Sequence, residues 1–185
     1  MAIDPLIIKL ISVGFGAMLV LAALHKFTSI SGFRVILIEY QILPDKLVPL
    51  TSYLIPSFEL VLGAAWILSI YFNGLTAFGT AILLFVYAVA MGINIKRGRV
   101  HFDCGCSFGG SAKAGPILSI GHIVRNIILI AGALITLLPV TERAIGLSDF
   151  LVLLATILTI AFLLGSINQL LANRAAISVW RKAND

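Results

Sequence analysis

Charge is what this 185-residue chain has least of: Asp, Glu, Lys and Arg together make up 11% of it, against about 25% in an average soluble domain. With 60% of the residues hydrophobic, an ordinary soluble globular protein is excluded. No polar stretch is long enough to form a separate water-soluble domain, so a single membrane domain over residues 1–185 is expected. Internal repeats and low-complexity tracts are also missing, which removes sequence support for alternating-access transport built on inverted repeats. Nor is there a nucleic-acid motif. The formal charge of +5 comes from basic residues beside hydrophobic runs, where membrane topology accounts for them. Cysteine is scarce, with two residues, Cys104 and Cys106, one glycine apart in a polar segment.

What is present is a series of uncharged apolar runs whose lengths match a hydrocarbon core of ~30 Å. They predict an all-α integral membrane protein with spans over about residues 6–24, 48–71, 75–95 and 117–140, and a fifth, C-terminal span over 150–171. The first is expected to be retained, because Leu6 to Leu24 is 19 residues long and runs into His25-Lys26-Phe27 with no small-residue cleavage site. Between the first two spans, Ile30 to Pro49 mixes Arg34, Glu39, Asp45 and Lys46 with Phe33, Val35, Ile36, Leu37 and Leu43, as an interfacial helix does. Phe72-Asn73-Gly74 is a turn inside a helical hairpin that carries no charge from Leu60 to Ile95. Pro116 favours a helix start for the fourth span. The longest polar segment is the loop 96–116, with Lys96, Arg97, Arg99, His101, Asp103, the cysteine pair and Lys113.

Two thiols two residues apart reach the ~4.4–6.8 Å Cα separation of a disulfide only through a sharp bend, which Gly105 makes accessible. A disulfide closing so small a ring is strained, and strained, exposed disulfides are the more oxidising ones, which suits a redox-active pair. As a structural brace the pair gains little, since so short a loop hardly constrains the unfolded chain. The structural alternative is two free cysteines or a local staple. His101 with Cys104 and Cys106, and His122 as a fourth ligand, raises a metal reading. The pair lacks the two to four residues usual between zinc-binding cysteines, so no metal is expected.

Glu59 is the only carboxylate inside a span, ~16 Å from Val48 at 1.5 Å per residue. Such a residue is rarely idle in a membrane. Arg125 lies ~12 Å from Ile117, on the same side, at a depth that allows pairing with Glu59. His122 is one turn before it, Asn126 adjoins it, Asn94 ends the third span, and His25 and Lys26 end the first. All crowd toward the cysteine side, whereas the other half holds scattered hydroxyls and Lys9. That asymmetry points to a site beneath the loop rather than a continuous ion pathway. A structural salt bridge for Glu59, and interfacial anchoring for His25 and Lys26, is the plain alternative.

With Pro56-Ser57-Phe58-Glu59, the His25-Lys26-Phe27 ending and the Asp103-Cys104-Gly105-Cys106 loop assembled, the chain resembles the MauE family of methylamine-utilisation proteins, in the DoxX-like group, over nearly its whole length. The resemblance implies a DoxX-like four-helix transmembrane bundle. It also implies a role in maturing a disulfide-rich extracytoplasmic enzyme subunit, with a thioredoxin-like extracytoplasmic partner; in that family the client is the methylamine dehydrogenase small subunit. By architecture the layout is similar to the quinone-linked thiol oxidases of the vitamin K epoxide reductase and DsbB type. Those carry a C-x-x-C pair and commonly a second shuttle pair, so a relay here would use the partner's cysteines.

The expected function is therefore a membrane thiol–disulfide oxidoreductase with Cys104 and Cys106 as catalytic residues. His25, Lys26, Glu59, His122 and Arg125 are candidates for a pocket that serves a membrane quinone or a proton relay, with no tightly bound cofactor. The rivals are a non-enzymatic assembly or transport factor, and a metal-binding membrane protein using His101, Cys104 and Cys106. A multi-pass location in the cell inner (cytoplasmic) membrane follows. With five spans, Lys26, Arg34, Lys46, Lys96, Arg97, Arg99, Lys113, Arg174, Arg181 and Lys182 share the cysteine side, and the positive-inside rule puts that side in the cytoplasm. The client implied by the resemblance is extracytoplasmic, and the loop is assigned there on that ground.

Overall fold

In the computed structural model, residues 2–68, 73–98, 120–143 and 146–159 are described, with positions 162 and 166 besides. The elements are α1 (Pro5–Thr28), α2 (Ile30–Tyr40), a 3-10 turn (Asp45–Leu47), α3 (Val48–Leu68), α4 (Asn73–Lys96), α5 (Ile120–Ile135) and α6 (Leu147–Thr159). Among the described residues there is no β-strand, only an isolated bridge between Ile3 and Val140. The chain is an all-α membrane protein. The helices around Pro5–Thr28, Asp45–Leu68 and Gly74–Lys96 are long and apolar enough to cross a bilayer.

Local chemistry sets the ends. Asp4 accepts the Leu6 N–H at 2.8 Å, and Pro5 occupies the first helical position, where no N–H is needed. α1 outruns its apolar stretch by four residues, since His25-Lys26-Phe27-Thr28 holds no helix breaker, and the chain turns only at Ser29. α5 stops at Ile135, short of the predicted 140. Residues 136–138 form tightened turns, with Leu138 N donating to Ile135 O at 3.1 Å. Pro139 has no N–H and disfavours helix at the residue before it. α2, at 11 residues, rises ~16 Å and is too short to span. It is the helix expected between the first two spans, and only Phe33 on it is buried.

Helices α1, α3, α4 and α5 pack up-down-up-down. α1 lies along α3 and α4 along α5, while α3 meets α4 and α5 meets α1. Phe15 of α1 stacks on Trp66 of α3 with centroids 5.3 Å apart, and Gly132 of α5 packs against Phe15. Around them Leu19, Leu62, Leu83, Leu84 and Ala133 complete the core. The outer face is apolar too, with Val61, Leu75, Ile82, Phe85 and Ile128 exposed, as a lipid-facing surface requires. One end of this bundle gathers the C-termini of α1 and α4 and the N-termini of α3 and α5. The segment containing Cys104 and Cys106 joins α4 to α5 at this end, hereafter the loop end.

The chain divides into two compact units, Met1–Thr141 and Glu142–Asp185. In the second, Asp149 in the first turn of α6 accepts the Gly146 N–H at 2.8 Å, while Arg143 pairs with the other carboxylate oxygen at 2.7 Å. This is half of a capping box. Of the predicted span 150–171, the part beyond 159 lies outside the described residues, apart from 162 and 166.

Asp149 precedes the apolar stretch. The Gly146 N–H, then Arg143, holds its carboxyl below the usual 3.8. A lowered folded-state value contributes stability that is complete above the ordinary carboxylate range and disappears as pH falls through the lowered value. Amide exchange in the first turn of α6 is therefore expected to accelerate in that acid window beyond its intrinsic pH dependence. Asp149→Asn should show the faster exchange already at neutral pH.

Candidate functional site: a buried Lys–Glu–Tyr cluster at the loop end of the bundle

Lys26 and Glu59 are 4% and 1% exposed. Lys26 Nζ donates to Glu59 Oε1 at 2.5 Å, and Tyr87 Oη donates to the same oxygen at 2.6 Å. The ammonium also lies 5.5 Å from the ring centroids of Phe33 and of Tyr87, close enough for cation–π attraction. Three bundle helices and α2 thus converge on one charge pair. Charges taken out of water need close partners of opposite sign to be tolerated, and here the partners come from helices adjacent in the antiparallel packing.

A seven-residue spacing builds this arrangement. On α3, Ser52, Glu59 and Trp66 are all buried; on α4, Thr80, Tyr87 and Asn94 have the same spacing. Seven residues bring a helix back to within ~20° of the same face. Trp66 Nε1 donates to Thr80 Oγ1 at 2.9 Å, one rung from Glu59 with Tyr87, so both rungs obey one antiparallel register. The third rung places Asn94 opposite Ser52. The Ser52 hydroxyl donates to Pro49 O at 2.7 Å and accepts from Arg34 Nε at 3.2 Å.

Three buried polar atoms in this half of the bundle have no hydrogen-bond partner among the described residues: Glu59 Oε2, Asn94 Oδ1 and Asn126 Nδ2. Both donors to Glu59 fall on one oxygen, leaving the other bare. Gly92 packs against Ile123, and that antiparallel register sets Asn126 ~3 Å along the axis from Tyr87. Asn94 is two turns nearer the loop end, ~10 Å away.

The predicted site residues are placed unevenly. Lys26 and Glu59 come together. His25, next to Lys26, is exposed, because a step of ~100° turns it from the packed face. Arg125 is not the partner of Glu59. Asn126 and Ala133 mark the buried stripe of α5, so Arg125 is rotated onto the exposed face, and Lys26 supplies the cation instead. His122, four residues before Asn126, is half-buried on the side of that stripe. Cys104, Cys106 and His101 lie outside the described residues. Among those described, no group of three His, Cys, Asp or Glu could hold a metal. Tyr87 and Phe33 are the participants that residue-type reasoning passed over. The spacing of seven from Thr80 to Tyr87 to Asn94 is the signal that finds the first.

The family described as methylamine utilisation protein MauE matches residues 4–139, which takes in the four bundle helices and the cysteine pair. Methylamine utilization protein MauE of Paracoccus denitrificans is 29% identical over 153 residues, 78% of this chain and 80% of that protein. The protein of the same name from Methylophilus methylotrophus is 27% identical over 154 residues, 83% of this chain and 80% of its own. That from Paracoccus versutus is 29% identical over 131 residues, covering 71% and 68%. No solved structure matches the chain.

Proposed function

The chain belongs to the MauE family of methylamine utilisation proteins, and from that premise we propose that it is a multi-pass thiol–disulfide oxidoreductase of the inner membrane. Its Cys104–Cys106 pair would exchange disulfides with a thioredoxin-like extracytoplasmic partner while a disulfide-rich enzyme subunit matures. The client by resemblance is the methylamine dehydrogenase small subunit. The observation that carries this reading is the pair itself: two thiols one glycine apart, within the family-matched residues, in the stretch of sequence between α4 and α5.

In the exchange, a partner thiolate attacks one sulfur of the Cys104–Cys106 disulfide and the other sulfur leaves as a thiolate. The partner's second thiol then attacks the mixed disulfide, releasing the partner as a disulfide and this chain as a dithiol. Two electrons and two protons must leave the dithiol before the next turnover. A membrane quinone is the acceptor that fits the site by its chemistry. Lys26 Nζ, which has protons beyond the one it gives Glu59, and Asn126 Nδ2, which has no acceptor among the described residues, are donors suited to its two carbonyl oxygens, and Glu59 Oε2 is an acceptor for a proton. When bound, it supplies a two-electron sink. Lys26 and Asn126 would orient and polarise it, Tyr87 would hold the Glu59 carboxylate in place through the bond it already gives, Glu59 would accept or release a proton, and the apolar shell of Phe33 and neighbouring helices would exclude water.

The test is labelling of Cys104 and Cys106 by a membrane-impermeant maleimide on spheroplasts, with and without reduction, joined to assays of Cys104→Ser and Cys106→Ser. Labelling only after reduction, and dithiol oxidation falling to the background rate at unchanged membrane levels, is the expected result. A fully active double variant overturns the redox reading. Variants that fail only through loss of the protein favour a non-enzymatic assembly factor, and labelling only after permeabilisation without reduction places the loop in the cytoplasm.

A further inference from the structure

Asn94 and Asn126 are 0% and 1% exposed, and each buries an amide with one polar atom that has no partner among the described residues. These atoms are Asn94 Oδ1 and Asn126 Nδ2, and Glu59 Oε2 is the third of the kind. The Asn94 amide is oriented by its own helix. Its Nδ2 donates to Ala90 O at 3.1 Å, and only the nitrogen end of an amide can give a proton to a carbonyl. Oδ1 is therefore the atom left over, two residues before α4 ends at Lys96.

The three atoms set the chemistry of an occupant. Glu59 Oε2 and Asn94 Oδ1 need a donor, and Asn126 Nδ2 needs an acceptor. A cation would turn its charge on the Asn126 amide hydrogens. Because Lys26 already neutralises Glu59, it would also bring an uncompensated charge into a dry interior. An anion would meet the Glu59 carboxylate. A molecule that only accepts leaves both oxygens bare. Water donates and accepts, is small enough to lodge between packed helices, and typically makes about three hydrogen bonds when buried. Asn94 is two turns from the other two residues, so a short string of water, rather than one molecule, matches the set.

The packing offers a place for it. α1 packs along α3, and α4 along α5, far more extensively than these two pairs meet each other. Glu59 reaches Tyr87 across the seam between the pairs, and the same register sets Asn94 opposite Ser52. Away from the loop end the seam closes on Phe15, Leu62, Trp66, Leu83 and Leu84. Met91, 1% exposed, is four residues from Tyr87 and three from Asn94 on one face of α4, and so lies along the stretch between them. We propose that the loop half of this seam is an internal hydration site. A string of ordered water runs from Asn94 to Glu59 Oε2 and Asn126 Nδ2, and it is continuous with the water outside the loop end. The site rests on the orphaned atoms and not on thiol chemistry. On the oxidoreductase reading it is the route by which Glu59 exchanges protons with the loop end, and a quinone held by Lys26 and Asn126 displaces the water on Asn126 while leaving that on Glu59.

Pulsed X-ray radiolysis of the full chain in nanodiscs tests this, because water split beside a methionine converts it to the sulfoxide where it stands. Met91 is expected to be oxidised several-fold faster than Met18, although Met18 is the less buried of the two and packs on the apolar core. Asn94→Leu and Asn126→Leu, which keep the shape and remove the polar ends, should each slow oxidation of Met91 several-fold and leave Met18 unchanged. Unfolding would speed both methionines, so a variant that merely fails to pack cannot imitate that result, and the comparison of Met91 with Met18 in the unaltered chain needs no variant at all. Rapid mixing into heavy-oxygen water before the pulse reads the continuity, and the Met91 sulfoxide should carry the heavy isotope at the shortest mixing times. Met91 oxidised no faster than Met18, or at a rate indifferent to both substitutions, overturns the hydration site. A sulfoxide without the isotope overturns its connection to the loop end. Cys104 and Cys106 take no part in the readout, so failure here leaves dithiol exchange to be judged by its own variants, and failed exchange leaves the hydration result standing.

Discussion

Lys26→Met is expected to destabilise the bundle by about 3–5 kcal/mol, the cost of leaving a buried charge without its partner. Adding Glu59→Gln to it is expected to recover most of that loss. The asymmetry follows from where the pair sits. Lys26 and Glu59 are almost completely enclosed, and Glu59 receives both of its hydrogen bonds on Oε1. Removing the ammonium leaves Tyr87 as the one donor to a carboxylate in a low-dielectric interior. Removing both charges leaves a neutral amide that Tyr87 still reaches. Tyr87→Phe removes the hydrogen bond to Glu59 and should cost less, about 1.5–3 kcal/mol for a bond to a charged group. Reversible unfolding in mixed micelles, run as a double-mutant cycle, measures the coupling directly. If the two single losses simply add in the double variant, the residues do not form an energetic unit, and the cluster is no longer a credible site.

Gly63→Leu is expected to prevent native packing of α1 on α3, and Gly63→Ala to cost about 1–3 kcal/mol, the range for overpacking. A Cβ on Gly63 would stand 2.9 Å from the backbone N of Val20 and 3.1 Å from Gly16 O; one on Gly16 would stand 2.5 Å from Ile67 Cγ1. The two glycines face each other, and the backbone atoms around them cannot move aside as a flexible side chain can. In a membrane, helices gain little from hydrophobic burial against one another, so this close approach is a main source of their association. Gly63 lies one turn from Glu59. A helix pushed outward there also draws Glu59 away from Lys26, and Gly63→Ala should loosen the cluster as well as the bundle. Gly14→Ala is the control. Its Cβ would meet nothing within 4 Å, so the alanine should be neutral or stabilise by up to about 1 kcal/mol through helix propensity. Thermal unfolding of the three variants in one detergent checks both signs.

Much of the chain was legible before any packing was known. Uncharged runs long enough to cross lipid announced the helices, because hydrocarbon tolerates only backbone that is hydrogen-bonded within itself. A carboxylate inside one of those runs announced a site, because its burial needs a partner. The identity of that partner was not legible. By depth Arg125, ~12 Å inside its span, matched Glu59 better than Lys26 at the end of the first span, yet depth along a helix says nothing about rotation around it. The ~100° step between Arg125 and Asn126 decides which of them faces the interior, and only the packing of α5 on α4 reveals it. Tyr87 was missed for a related reason. A tyrosine in an apolar run reads as core until its register against α3 is known, and that register is visible only as matching sevens on two helices. Pro139 was in plain view, yet a hydropathy pattern continues through a helix end that backbone chemistry imposes.

By itself, the sequence determined that this chain lives in a membrane, which of its stretches are apolar and long enough to cross it, and that a carboxylate, Glu59, lies inside one of them. Those are properties of composition, length and order, which a bilayer converts directly into topology. The tertiary structure decided which cation meets Glu59, which ring covers that pair, and how closely α1 approaches α3. Each of these depends on the rotation and spacing of helices distant in sequence, quantities set by the contact of glycine with backbone and of charge with charge across the bundle.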